Sequence, residues 1–132
     1  FNLAIEELKK AVIMNPQDIN ALLLLSRSYI YTHHYDKALP YLVDYIAKKP
    51  DNSFAHYLLA IVYYKKNQFE EAYNAASQAL TMQSSYIPAL YSMAAICKAL
   101  GRKDDAIQYC KQILKLDAGN IKAQRLLQKL SP

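Results

Sequence analysis

Three histidines, two cysteines and two pairs of adjacent acids are the residues of this chain that are best suited to chemistry. His33 and His34 are neighbours at a predicted turn between helices. Adjacent side chains on a turn diverge, so such a pair rarely holds a metal ion alone. His56 falls at a predicted helix–helix packing position, which favours a half-buried, hydrogen-bonded imidazole over a ligand. We therefore expect no metal site.

The two cysteines, Cys97 and Cys110, fall at predicted core positions on facing helices. A buried thiol commonly acts as a small apolar side chain. The composition is also not that of a disulfide-rich protein. We expect reduced, buried thiols, although facing helices leave a disulfide between them geometrically feasible.

The clustered acids, Glu70-Glu71 and Asp104-Asp105, each open a predicted helix. Negative charge at a helix N-terminus complements the helix dipole, which explains both pairs without catalysis. The sequence also lacks a phosphate-binding glycine loop, an HExxH motif and a CxxC pair. We therefore expect that the protein is not an enzyme and binds no cofactor.

The chain of 132 residues has 16 basic and 11 acidic residues and a formal net charge of +5. Its basic residues are scattered in adjacent pairs without forming one stripe, so nucleic-acid binding is not expected.

No apolar run is long enough to cross a bilayer, and nothing at the start resembles a signal peptide. We expect no membrane insertion and a cytoplasmic location. Because the chain begins at Phe1, without Met and in the middle of a predicted repeat, we expect a fragment of a longer protein.

Several residue types recur every 34 residues, and these columns must position any site. Alanine occupies one column at Ala4, Ala38, Ala72 and Ala106. An aromatic residue stands three positions earlier at Phe1, Tyr35 and Phe69, and is replaced only at Lys103. Two further columns hold Ser26, Ala60 and Ala94, and Leu25, Leu59, Met93 and Leu127. Self-similarity at a fixed period of this size indicates a stacked repeat architecture.

These columns resemble the tetratricopeptide repeat (TPR) family along essentially the whole chain. The resemblance implies an all-α fold, an α-solenoid in which antiparallel helix pairs stack into a right-handed superhelix. Small side chains in two columns let the paired helices approach closely. We predict one array with five parts: residues 1–18 as the second helix of a truncated repeat, repeats at 19–52, 53–86 and 87–120, and a capping helix at 121–132.

The helix ends follow local signals. Asp18 is a good N-cap, and Ser85 is the expected cap of a later helix. Asn67 and Gly101 stand at predicted turns that often need a left-handed residue, whereas His33 fits this conformation less readily. Pro40 is expected in the first turn of its helix or just beyond it, where a missing amide donor costs least.

The family resemblance also implies a concave wall, lined by residues of the first helix of each repeat that point away from the second. In the register above, the wall residues are Asn20, Leu23, Arg27, Ile30, Tyr31, Phe54, Tyr57, Ile61, Tyr64, Lys65, Pro88, Tyr91, Ala95, Lys98 and Ala99, extended by Lys122 and Arg125. The wall is thus aromatic and apolar in the middle and basic at its edges. Exposed tyrosines beside cations favour protein recognition. The alternative is that Tyr57, Tyr64 and Tyr91 merely pack against one another.

A TPR subgroup grips the C-terminal carboxylate of heat-shock chaperones with a set of Lys, Asn and Arg residues. The corresponding positions hold Leu23, Arg27, Leu58, Tyr91 and Ala95. Only Arg27 suits that role, so we expect a partner held mainly by apolar and aromatic contacts.

Two functions remain open. The first is a non-catalytic scaffold that binds a peptide segment or helix of another protein in the concave groove. The second is self-assembly into a homo-oligomer, end to end or through the groove, because the first helix lacks its own partner and should expose part of its apolar face.

Overall fold

The computed structural model describes the backbone of residues 2–131 and the side chains of residues 4–131. Phe1, the first member of the predicted aromatic column, lies outside the described residues. Within them the chain forms eight helices and no strand: α1 (Asn2–Met14), α2 (Ile19–Tyr31), α3 (Tyr35–Lys48), α4 (Ser53–Lys65), α5 (Phe69–Met82), α6 (Ile87–Ala99), α7 (Lys103–Leu116) and α8 (Ile121–Leu130). The prediction of an all-α chain is confirmed.

The helices pack as consecutive antiparallel pairs. The most extensive contacts join α2 with α3, α4 with α5 and α6 with α7. Each pair also contacts the next through α3 with α4 and α5 with α6, and α2, α4 and α6 touch along one layer. We call α2, α4, α6 and α8 the inner helices and α1, α3, α5 and α7 the outer helices. The division into repeats at 19–52, 53–86 and 87–120 stays a prediction, with these pairs as its units.

Small side chains lie where the paired helices meet. Ala38, Ala72 and Ala106 have no exposed surface. Ser26, Ala60 and Ala94 on the partner helices are equally buried. The Ser26 hydroxyl donates to the Leu22 carbonyl oxygen at 2.8 Å, so its burial leaves no unpaired polar group. Ala4 is the exception in its column, because no helix precedes α1 in the described chain to cover it.

The three turns inside the pairs share one backbone geometry. His33, Asn67 and Gly101 have φ angles of 62°, 61° and 77°. In each turn the amide of this residue donates to the carbonyl three residues earlier, as from Asn67 N to Tyr64 O at 3.0 Å. The next amide donates five residues back, as from Gln68 N to Tyr63 O at 2.9 Å. This is the Schellman end of a helix, and it requires a left-handed residue.

One predicted helix cap turns out differently. Ser85 is not the N-cap of α6, because Tyr86 takes that position and makes no side-chain capping bond. Pro88 follows near the start of α6 and has no amide hydrogen, so a capping side chain has one donor fewer to satisfy. Pro40 lies inside α3 just beyond its first turn, as predicted, and the helix continues to Lys48. Asp18 caps α2 as predicted, accepting from Ala21 N at 3.2 Å.

Candidate binding groove

The surface of the inner helices carries the predicted wall residues, and a pocket lies between α4 and α6. It has a volume of about 250 Å³. Its lining residues are Tyr57, Ala60, Ile61, Tyr64 and Lys65 from α4, Tyr91, Ser92, Ala95 and Ile96 from α6, and Lys122 from α8. Seven predicted wall residues therefore converge at one place: Tyr57, Ile61, Tyr64, Lys65, Tyr91, Ala95 and Lys122.

A second pocket of about 270 Å³ adjoins the first. Tyr57, Tyr91 and Lys122 line both pockets, and the second adds Ile87, Pro88 and Asn120. The Lys122 ammonium lies 5.9 Å from the centroid of the Tyr91 ring, within the range of a cation–π contact. The two pockets form one groove, which we call the inner groove.

Arg27 continues this surface onto α2. Its guanidinium carbon lies 5.4 Å from the Phe54 ring centroid and 5.9 Å from that of Tyr31. Arg27 Nε is buried and has no hydrogen-bond partner among the described residues. The Phe54 ring in turn lies 6.1 Å from that of Tyr57. Aromatic contacts therefore link Arg27 to the inner groove.

The tyrosines of the groove contact other aromatic residues more than one another. In the described part of the chain, the ring contacts of Tyr57 are to Phe54 and to Tyr86. The ring of Tyr64 contacts Phe69 at 5.5 Å. These contacts orient the two tyrosines, and both residues also line the pocket.

Tyr86 belongs to this surface, and the predicted wall omits it. Its ring meets that of Tyr57 edge to face at 5.6 Å. Burial is the main cause that raises the pKa of Tyr57, and the neighbouring Tyr31 raises it further. Burial is also the main cause that raises the pKa of Tyr86, with a smaller contribution from Tyr57. Both phenols therefore stay neutral at physiological pH, so they add no negative charge to the groove.

The remaining predicted wall residues lie outside the pocket. Leu23 is half-buried against the first part of the core, and Tyr31 is exposed beside Arg27. Lys98 and Arg125 are exposed and do not line either pocket. Ile30, a predicted wall residue, is buried with only 8% of its surface exposed, because it packs into the core.

The other candidate residues have structural partners. His56 is buried and its Nε2 donates to the Pro50 carbonyl oxygen at 3.0 Å. His33 and His34 are exposed and bond to Tyr35 and Thr32. Residues 2–131 contain no group of three or more His, Cys, Asp or Glu side chains arranged to hold a metal ion.

The two cysteines are free thiols without exposed surface. Burial raises the pKa of both thiols. A raised pKa lowers the fraction of reactive thiolate at neutral pH. Cys97 and Cys110 therefore behave as core side chains in this state.

A larger crevice, of about 460 Å³, lies outside the inner groove, between α4 and α5. Glu71, Asn74, Ser77 and Gln78 contribute much of its lining, together with His56 and Tyr63. It lacks the cluster of aromatic and cationic side chains found in the inner groove. We therefore favour the inner groove as the candidate binding site. In the part of the chain that the structure describes, no helix is both long and apolar enough to span a bilayer.

Comparison with family models decides the classification. Residues 32–113, more than half of the chain, match the model described as "Anaphase-promoting complex, cyclosome, subunit 3", which consists of TPR-like repeats. Residues 1–60 match a model described as "Tetratricopeptide repeat". The chain belongs to the tetratricopeptide repeat family. No curated protein matches the sequence of this TPR chain.

Solved structures share this fold. A crystal structure of MamA superposes with a TM-score of 0.91 at 21% identity, over 96% of this TPR chain and 74% of MamA. The first TPR of Spaghetti (RPAP3), bound to an HSP90 peptide, gives 0.82 at 23% identity over 86% of this chain and 90% of that one. The second TPR domain of human RPAP3, in complex with an HSP70 peptide, gives 0.79 at 25% identity over 83% and 91%. The predicted TPR solenoid is thereby confirmed.

Proposed function

We propose that this TPR chain is a non-catalytic protein-interaction module that holds a segment of a partner protein in the inner groove. The convergence of Tyr57, Ile61, Tyr64 and Tyr91 around one pocket carries this proposal. Large aromatic side chains that are only partly buried supply contact area at a low entropic cost. The two RPAP3 domains with bound chaperone peptides give precedent for peptide binding by this fold.

The mode of binding that we propose differs from a carboxylate clamp. The positions expected to grip a terminal carboxylate hold Leu23, Leu58, Tyr91 and Ala95 beside the single cation Arg27. A leucine side chain has no polar group to offer a peptide end, and Leu58 is also buried. We therefore expect an internal segment to bind, with an apolar side chain in the pocket.

The sharpest test is the double variant Tyr57→Ala with Tyr91→Ala. A phage library of random dodecapeptides is selected on the immobilised wild-type chain, and the recovered peptides are tested on the variant. We expect the variant to lose them, because both rings line both pockets. Its helical circular dichroism should persist, with a lower melting temperature, because Tyr57 also supports Phe54 and Tyr86.

The matched control is Tyr63→Ala, which truncates a half-buried tyrosine of the same helix on the side of the outer crevice. This variant should keep the selected peptides. If the wild-type chain selects no peptide, or if the groove variant retains them all, the inner groove is not a peptide site.

Self-assembly is a second candidate, and one observation favours it. Ala4 and Met14 of α1 are exposed, as is Ile13, and Met14 is 86% exposed. The equivalents of Ala4 and Leu8 one repeat later, Ala38 and Leu42, are completely buried. The open side of α1 therefore offers an apolar surface to a second molecule.

A further inference from the structure

The charges of this chain are separated between its two layers. The inner helices α2, α4, α6 and α8 contain no Asp or Glu. All 11 acids lie on the outer helices or in the connections. The inner helices contain six cations: Arg27, Lys65, Lys98, Lys122, Arg125 and Lys129. The layer that bears the groove is therefore uniformly positive.

None of these six cations forms an ion pair with another described residue. The ion pairs of the chain use Lys9, Lys10, Lys48, Lys49, Lys66 and Arg102, which lie on outer helices or in connections. Asp36 shares a surface depression with Lys65, but it pairs with Lys66 at 2.8 Å. The groove cations are thus left available to an anionic partner.

Two of these cations stand at opposite ends of the apolar pocket. Lys65 follows Tyr57 by eight residues on α4, a rise of about 12 Å along the helix. Lys122 also lines the second pocket with Ile87 and Pro88, at the beginning of α6. Between the two cations lie Ile61, Tyr91 and Ala95. The surface therefore presents an apolar hollow with one cation on its α4 side and a second on its α8 side.

An extended peptide advances by a distance close to the rise from Tyr57 to Lys65. Each residue of a strand advances about 3.3 Å, so residues four apart are separated by about 13 Å. Side chains at alternate positions point to the same face. A segment of the form acid–x–apolar–x–acid would therefore place both carboxylates and the central side chain on the groove side together.

We propose that the inner groove binds an extended, acidic segment of a partner protein, with a large apolar side chain in the pocket between α4 and α6 and a carboxylate near each of Lys65 and Lys122. This inference rests on the proposed peptide-binding function and adds the chemistry of the partner.

The composition of the peptides from the dodecapeptide selection tests this inference. We expect acids to be enriched two positions on either side of a Leu, Ile, Met or Phe. The variant Lys65→Glu with Lys122→Glu should bind a synthetic, fluorescein-labelled copy of the leading peptide about tenfold more weakly at low salt. Both lysines are exposed, so the variant should fold.

The control variant is Lys111→Glu with Lys115→Glu, which changes two exposed lysines of the outer helix α7. Each exchange lowers the formal charge by two, so both double variants fall from +5 to +1. Because only the first changes the groove, only the first should lose affinity. Equal losses in the two variants would mean a response to net charge and would overturn the proposal.

Other outcomes of the selection distinguish a failure of the acidic-partner proposal from a failure of the peptide-binding function. Selected peptides that need Tyr57 and Tyr91 but show no excess of acids would leave the peptide site standing and refute the acidic partner. Acids enriched at helical spacing, three or four positions from the anchor, would refute the extended form. Tighter binding of labelled oligouridine than of any peptide, lost in the Lys65→Glu, Lys122→Glu variant, would replace a protein partner with a nucleic acid.

Discussion

A single left-handed residue closes each helix pair, and the three pairs use three different residue types there. Gly101 carries no side-chain penalty at positive φ, Asn67 carries a small one and His33 a larger one. The sequence predicted the two turns at Asn67 and Gly101 from residue type. His33 gives no such signal by itself, and only its register with Asn67 and Gly101, 34 and 68 residues later, reveals the turn.

This difference predicts opposite effects of two substitutions. Gly101→Ala should lower the free energy of unfolding by about 1–2 kcal/mol. A Cβ at this position would meet no atom within 4 Å, so the cost is conformational. His33→Gly should raise the free energy of unfolding by about 0.5–1 kcal/mol, because the bond between His33 and Tyr35 is exposed and contributes little.

Urea unfolding followed by circular dichroism measures both changes. His34→Gly is the control for the histidine substitution, because His34 has a φ of −98° and gains nothing from glycine. A neutral Gly101→Ala, or a destabilising His33→Gly, would mean that these turns are not strained in the left-handed region.

At the scale of the helices, the 34-residue period locates the helix starts better than the local capping signals do. The N-cap positions Asp18, Asn52, Tyr86 and Asn120 are spaced by 34 residues. For α6, the preference for a polar N-cap residue favours Ser85, whereas the 34-residue spacing of the N-caps gives Tyr86, which is the observed N-cap. Tyr86 has no capping oxygen to replace Asp or Asn, and its ring instead packs on Tyr57. That contact between consecutive helix pairs has no local signature in the sequence.

The alanine column predicts how closely the paired helices must approach. Ala72→Leu should lower the free energy of unfolding by about 1–3 kcal/mol, because a larger side chain forces α4 and α5 apart. Ala72 has no exposed surface. Ala4→Leu is the matched control, since Ala4 belongs to the same column but is exposed.

The control should change the free energy of unfolding by no more than about 0.5 kcal/mol. Thermal and urea unfolding of the two variants give the comparison. Similar costs at both positions would show that the penalty follows from the substitution itself and not from the α4–α5 interface.

For the whole molecule, the fold follows from the repeated columns, whereas the position of the groove does not. Periodicity placed Tyr57, Ile61 and Tyr91 on the inner helices. It could not indicate that Lys122 reaches the pocket while Lys98 and Arg125 remain outside it. That outcome depends on the stacking angle between consecutive pairs and on how α8 packs against α7, which no residue type encodes locally.

The helices α1 and α8 differ in the surfaces they leave open, and this difference limits self-assembly of the chain as given. In α1 the columns that would face a preceding helix hold Ala4, Leu8 and Ala11, which are exposed or half-exposed. In α8 the positions equivalent to Leu22 and Ser26, which are buried in α2, hold the exposed residues Gln124 and Gln128. An apolar start cannot pair well with this polar end. Association through α1 should therefore be isologous and close at a dimer, since filaments need complementary ends.

Sedimentation velocity over a range of concentrations tests this expectation. We expect a monomer–dimer equilibrium without larger species. Ala4→Lys should shift the equilibrium to monomer, because it places a charge on the open side of α1 at an exposed position, at no cost to the core. The peptides selected on the inner groove should still bind this variant, since α1 lies outside the groove. A wild-type chain that stays monomeric at the highest concentration would eliminate self-assembly, and a ladder of higher oligomers would mean that α8 does accept α1.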